Sequence, residues 1–377
     1  MIPPQTEPRH HLPIGQRLHR YRLNWRRLLA RLGTAGAAFV VLFLGVTPMG
    51  CYISRAAYEE ARILARRQPI QKLVARDNTP PTLRAKLALV LEARQFAIDS
   101  LQLKAEESFT TFAPLDRDTL VLVVSAAYRD RLERKTWWFP VVGSFPYKGF
   151  FDFGEALRTA EELKTEGFDV TVGPSSAFST LGWFNDPLVS TTVKADSVTL
   201  VNTVLHELLH TTFFAKGHVS FNESFATFVG GRGAEHFFRA KGDSALLRRA
   251  QDDWHDDRLM GDFWERTAKE IDSVFAQLPD TASAARIAAR DSVYARARRR
   301  LVDSIGPQLR TYPAGWVAKV PLNNAVLMAR RVYAERLDRF DSVYAASGGK
   351  IGEAIARVIR AHRDSVRTAE KKEKRGN

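Results

Sequence analysis

The chain has 377 residues, 45% of them hydrophobic and 26% charged, an ordinary globular balance that excludes wholesale disorder. Its one cysteine excludes an internal disulfide, a cysteine-based zinc finger and an iron–sulfur site. The net charge of +14 sits mostly at the ends: residues 1–31 hold seven Arg against one Glu, and residues 360–377 hold seven Lys and Arg against three acids. With a mildly basic body that lacks a binding motif, nucleic acid is not an expected partner.

In chain order, residues 1–31 read as a basic cytoplasmic segment and residues 32–53 as a signal or transmembrane anchor. No charged residue falls between Leu32 and Ile53, and Ala37–Val46 is strongly apolar. A run of about 20 such residues spans a bilayer as a helix. The Arg-rich flank places its start in the cytoplasm and the body on the extracytoplasmic, periplasmic side. The run ends Met49-Gly50-Cys51, like the end of a lipoprotein signal, so an uncleaved anchor and a lipid on Cys51 both remain open.

Residues 54–377 form the expected catalytic body, an α+β fold that is predominantly helical. Residues 54–108 read as helices, with Leu83, Leu87, Val90, Leu91, Ile98 and Leu101 near one face and a break at Asn78–Pro81. Residues 109–195 read as a small β/α lobe: strands at Leu120–Val124 and Phe168–Val172, a helix at Glu155–Glu166, and aromatic loops at Trp137–Pro140, Phe145–Phe151 and Ser179–Pro187. Residues 196–360 read as a helical lobe and 361–377 as a basic, frayed tail. Asp-Ser-Val recurs without a period at Asp272, Asp291, Asp341 and Asp364, and reads as helix-start chemistry. The Ala/Arg-rich stretch 283–300 reads as a solvated basic face.

The segment Val201–His210 carries the chemistry. Val201, Val204, Leu205, Leu208 and Leu209 give an apolar helical face, and His206 and His210, four apart, share another face and can hold one metal ion. Zinc takes two imidazoles and a carboxylate with one position left open. Glu207, about 100° round the helix, reaches the water there, can take its proton and can later pass it to a leaving amine. The third ligand is expected on a second helix in Phe221–Ala226, with Glu223 as first choice, Asn222 as its cap and Gly217 in the turn before it. His218, in the connecting loop, is the alternative ligand. His236, His255 and His362 read as ordinary hydrogen-bonding residues.

These stretches resemble the bacterial predicted-aminopeptidase family, a group of membrane-associated zinc peptidases. The shared motifs are Trp138–Pro140, Pro146–Phe151, Ser179–Phe184, Asp186-Pro187, His206–His210, Phe221–Ala226, and Leu322–Ala325 with Tyr333. More distantly, HELLH followed by NESFA is similar to the gluzincin metallopeptidases, whose third ligand is the Glu of an Asn-Glu motif. The resemblance implies His206, His210 and Glu223 as Zn2+ ligands and Glu207 as general base. Only twelve residues separate His210 from Glu223, so the helix connection must be tight.

The expected reaction is hydrolysis of a peptide substrate, with an oxyanion donor in Tyr333 or, as runner-up, Tyr147. An aminopeptidase also needs an acid for the free amine, for which Asp186 and Asp152 are candidates. The strand at 168–172 can receive a substrate backbone if it is a sheet edge beside the zinc helix. The rival reading is a catalytically silent envelope protein with a structural metal that binds a partner through its aromatic loops. Retention of a base at Glu207 argues for the enzyme.

Overall fold

The computed structural model describes residues 29–36, 38, 42–139, 143–174, 187–313 and 315–376. Most of the basic segment, part of the expected anchor and the loop residues Ser179–Asp186 thus lie outside the described residues. The chain divides into two compact units, 1–62 and 63–377.

In the first unit the helical backbone bends at Thr47, and helix α1 (Pro48–Ala65) starts afresh there. The Thr47 hydroxyl accepts from the Gly50 N–H at 2.9 Å, which is helix-start capping. α1 carries Arg55, Glu59, Glu60 and Arg62, so it does not prolong the apolar run. Among the described residues no helix is long and apolar enough to cross a membrane.

The second unit is predominantly helical with a few short strands. Its first part contains β1 (Gln68–Pro69), α2 (Ile70–Ala75), α3 (Pro81–Asp99), β2 (Thr111–Ala113) and β3 (Leu122–Ala127). Then come β4 (Trp137–Phe139), β5 (Gly143–Phe145), β6 (Lys148–Phe150), α4 (Phe153–Thr165), β7 (Asp169–Pro174) and β8 (Leu188–Val189). The strands form a β1-β2-β8 sheet, a β6-β3-β7 sheet and a β4-β5 hairpin. From there the described chain is helical: α5 (Ser190–Val193), α6 (Ser197–Thr212), α7 (Val219–Ala240), α8 (Ser244–Ala276) and α9 (Ser283–Arg300), then α10 (Trp316–Lys319), α11 (Asn324–Ala334), α12 (Leu337–Ala346) and α13 (Ile351–Gly376).

The α6/α7 pair is the centre of the largest core. Val201, Val204, Leu205 and Leu208 of α6 and Phe225 and Phe228 of α7 are fully buried there. Each such side chain contributes about 1.5–3 kcal/mol of burial. Glycines let the helices close up. A Cβ on Gly230 would stand 2.9 Å from the Asn202 carbonyl oxygen, and one on Gly233 2.7 Å from a Leu205 methyl. Gly231 does the same on the other side, against Trp254 of α8.

Several expectations change. The four Asp-Ser pairs lie inside α8, α9, α12 and α13, away from their starts. Asp341, for one, ties helices together by accepting from Arg232 at 2.9 Å, Arg258 at 3.0 Å and the Trp254 indole at 3.2 Å. The 283–300 stretch is not simply a solvated face. Arg286 and Arg290 are buried, and Arg290 pairs with Asp169 at 2.7 Å and donates to the Arg129 carbonyl at 3.1 Å. The terminal basic stretch continues α13 as helix to Gly376. β7 is indeed a sheet edge, but it packs against α11, with Asn323 donating to the Val170 carbonyl at 3.3 Å.

Candidate metal centre

α6 begins where Asp196 accepts from the Val198 and Thr199 N–H groups at 2.9 and 3.0 Å. One face of α6 is apolar and buried, which leaves His206, Glu207 and His210 on its partly open side. The connection to α7 is short, with Gly217 at φ +82° making the turn. α7 starts at Val219 with His218 before it, so Asn222 is not the cap. It lies inside the first turn, buried, where its amide donates to the Ala215 carbonyl and accepts from the Ala215 N–H, both at 2.8 Å. Asn222 clamps the loop so that Glu223 swings back over the two histidines.

The three side chains meet as expected. His206 Nε2 and His210 Nε2 are 3.2 Å apart, and Glu223 Oε2 and Oε1 stand 3.4 and 3.6 Å from them. These separations are long for charge-assisted hydrogen bonds, which run about 2.7–2.9 Å. One ligand atom from each of the three residues lies within 4.8 Å of the others, close enough to share one ion. The donor set of two imidazoles and one carboxylate could hold a zinc-like ion.

Electrostatics agree with the geometry. Burial works to raise the Glu223 carboxyl, but His206 and His210 outweigh it and hold the group at about 2. Burial lowers His210, yet Glu223 and Glu207 leave it raised overall. Its Nδ1 is buried with no hydrogen-bond partner among the described residues, and the ring contacts His206 and Glu223 through Nε2. Glu207 adds negative charge to this cluster, acting on both His210 and Tyr333.

Both tyrosine candidates stand at the centre. The Tyr333 ring stacks on the His206 ring with centroids 6.3 Å apart. Desolvation, then Glu223 and Glu207, push its phenol up to about 12, so it stays a donor at any working pH. Tyr147 is raised by desolvation and by Glu223. Among the described residues His218, the alternative ligand, instead packs edge to face on His362, while His236 bonds the Tyr344 hydroxyl at 2.7 Å and His255 reaches the Gln308 carbonyl at 3.3 Å. Asp152 caps α4 by accepting from the Glu155 N–H at 2.9 Å, which removes it as an amine partner. Asp186 lies outside the described residues.

Sequence reasoning missed Ser224. Fully buried, its hydroxyl donates to the Val332 carbonyl at 3.0 Å and accepts from the Glu335 N–H at 2.8 Å, gripping the backbone on both sides of Tyr333. No signal beyond its place in Phe221–Ala226 pointed to it. Tyr333 is held from the other end too, because α11 starts at an Asn323 cap and the buried Asn324 donates to the Tyr128 carbonyl at 2.7 Å.

A family model described as "Putative aminopeptidase" matches residues 51–374. The chain belongs to this family. All the residues gathered at the centre lie inside the matched stretch. No curated protein and no solved structure matches the chain.

Proposed function

We infer that the protein is a zinc-dependent peptidase, an aminopeptidase in its preferred action, tethered to the membrane with its body on the extracytoplasmic side. The observation that carries the zinc reading is the convergence of His206, His210 and Glu223, whose imidazole Nε2 atoms stand 3.2 Å apart with one Glu223 oxygen 3.4 Å from the first and the other 3.6 Å from the second, a donor set of the kind zinc takes. Family membership supports peptide hydrolysis, and Asn222-Glu223 supports the gluzincin likeness. The tether rests on the charge-free run 32–53 behind its Arg-rich flank.

Zinc bound there supplies a Lewis acid and lowers the pKa of water toward 7. Glu207 takes the proton of the attacking water and returns it to the leaving amine. Tyr333 donates its phenolic proton in a hydrogen bond to the oxyanion that develops on the scissile carbonyl, with Tyr147 as the second candidate for that role. Ser224 and Asn324 hold α11 so that the phenol needs no reorganisation at the moment of reaction.

The test is metal analysis and peptide hydrolysis on the full chain, wild type against Glu207→Gln. Equal zinc with activity reduced by about 100-fold or more supports the reading. A zinc-loaded wild type that hydrolyses no free or N-blocked peptide library overturns it. Free against N-acetylated peptides decides amino- against endopeptidase action.

A further inference from the structure

Four carboxylates crowd one stretch of α8, at Asp252, Asp253, Asp256 and Asp257, and three of them are occupied. Asp252 pairs with Arg310 at 3.0 Å and Asp253 with Arg249 at 2.9 Å. Asp256 is buried and accepts from the Arg310 N–H, the Thr311 N–H and the Thr311 hydroxyl at 2.8–3.0 Å, fixing the loop that presents Tyr312. Asp257 alone has no hydrogen bond or ion pair among the described residues. Burial, with Asp253 and Asp256 behind it, pushes its carboxyl up to about 7.

Asp257 opens into a cavity of about 110 Å³. Trp264, Tyr312, Trp316 and Met260 line it, and Tyr312 and Trp316 are stacked with centroids 4.1 Å apart. Two further lining residues tie the cavity to the metal centre. Tyr333 faces both, and Thr227 sits one helical turn past Glu223, its hydroxyl donating to the Glu223 carbonyl at 2.9 Å. Arg330 also lines the cavity, but it is exposed and its charge acts on Tyr312, not on Asp257.

We propose that this cavity is a substrate subsite for an ammonium group, with Asp257 as its counter-ion and Trp264, Tyr312 and Trp316 as its aromatic walls. An ammonium gains from an aromatic face and from a carboxylate together, and excluding water strengthens both. An unpartnered carboxyl among aromatics is costly to ionise, and a cation brought by the substrate relieves that cost. Its neighbour Asp256, by contrast, is saturated by the protein itself. The assignment deepens the peptidase reading and rests on it for the identity of the substrate, while the cavity's preference for a cation stands independently. The ammonium is either the α-amine of a peptide or an amine at the end of its first side chain.

Two measurements on the full chain test this. The first is binding of phenethylammonium against its neutral counterpart 2-phenylethanol, read by fluorescence of the cavity tryptophans, in wild type and Asp257→Asn. Saturable binding of the cation at roughly tenfold or more higher affinity, with the difference lost in the variant, is expected. Equal affinities, or a preference that survives the substitution, overturn the proposal. The second compares kcat/KM for the two proteins on free and N-acetylated leucyl peptides and on N-acetylated lysyl and norleucyl peptides. A loss confined to free-amine peptides identifies the α-ammonium, and one confined to lysyl peptides identifies the side-chain amine. An equal loss on all of them overturns the subsite. A wild type that binds the cation selectively but hydrolyses nothing overturns the peptidase reading and leaves the cavity assignment standing.

Discussion

Asn222 and Ala215 exchange two hydrogen bonds of 2.8 Å, side-chain amide to backbone peptide, across the loop that joins the helices bearing His206, His210 and Glu223. The residue before the carboxylate ligand thus sets the loop's closure. Asn222→Leu strands a buried N–H and C=O on Ala215, at about 1–3 kcal/mol for each unsatisfied group. The expected outcome is a lower urea midpoint together with weaker zinc retention against a chelator. Zinc retention equal to wild type would show that the loop does not place Glu223.

Ser224→Ala releases the backbone that flanks Tyr333 and leaves the Val332 carbonyl and Glu335 N–H without their partner. We expect kcat to fall in the same direction as in Tyr333→Phe, which itself loses about 100-fold if the phenol stabilises the oxyanion. KM should stay near wild type in both. Because the serine acts through the tyrosine, the double variant should be little worse than Tyr333→Phe alone. Additive losses would separate the two roles.

Gly230→Ala and Gly233→Ala should differ although both face α6. The first puts a methyl 2.9 Å from the Asn202 backbone carbonyl, which cannot yield without moving the helix. The second meets the end of the Leu205 side chain, which can turn away. Gly230→Ala should cost about 1–3 kcal/mol of stability and loosen the metal triangle, with Gly233→Ala the milder of the two in denaturant melts and zinc titration.

Asp257 gives a pH-dependent prediction. Its carboxyl is raised to about 7 in the folded chain, against about 3.9 in an unfolded one. Folding therefore bears no penalty from this group below about pH 4, and the penalty grows until it is complete above about pH 7. Asp257→Asn should match wild type near pH 4 and exceed it at pH 8 by up to about 4 kcal/mol, the ceiling set by a shift of about three units. Urea melts of both proteins at several pH values read this directly. An acid that lowers stability at working pH is what a binding residue looks like.

The meeting of His206, His210 and Glu223 was legible because its geometry is local. HExxH fixes two rings on one helical face by the 100° step alone, and Asn222-Glu223 pointed to the carboxylate that joins them. The helical body and the break before α3 were legible for the same reason, from apolar periodicity and turn residues. What could not be read depends on partners far along the chain. Asp257 differs from Asp256 only because the loop at Arg310–Thr311 uses one of them. Arg290 is buried because Asp169, distant in sequence, meets it. The Asp-Ser pairs look like caps until tertiary contacts place them mid-helix. Asn222 has the chemistry of a cap and uses it on a loop instead.

α7 gathers into its first four turns the loop clamp, the carboxylate ligand, the serine that grips α11, a cavity wall at Thr227 and the glycines of close approach. Each position there serves a different neighbour, so a change at one is felt at the metal centre, the cavity and the fold at once. That stretch leaves little freedom to diverge. The cavity's other walls, on α8 and in the Tyr312–Trp316 segment, touch fewer of these duties. Relatives that have shifted their substrate preference should carry the change there, with the helix between Asn222 and Gly233 left intact.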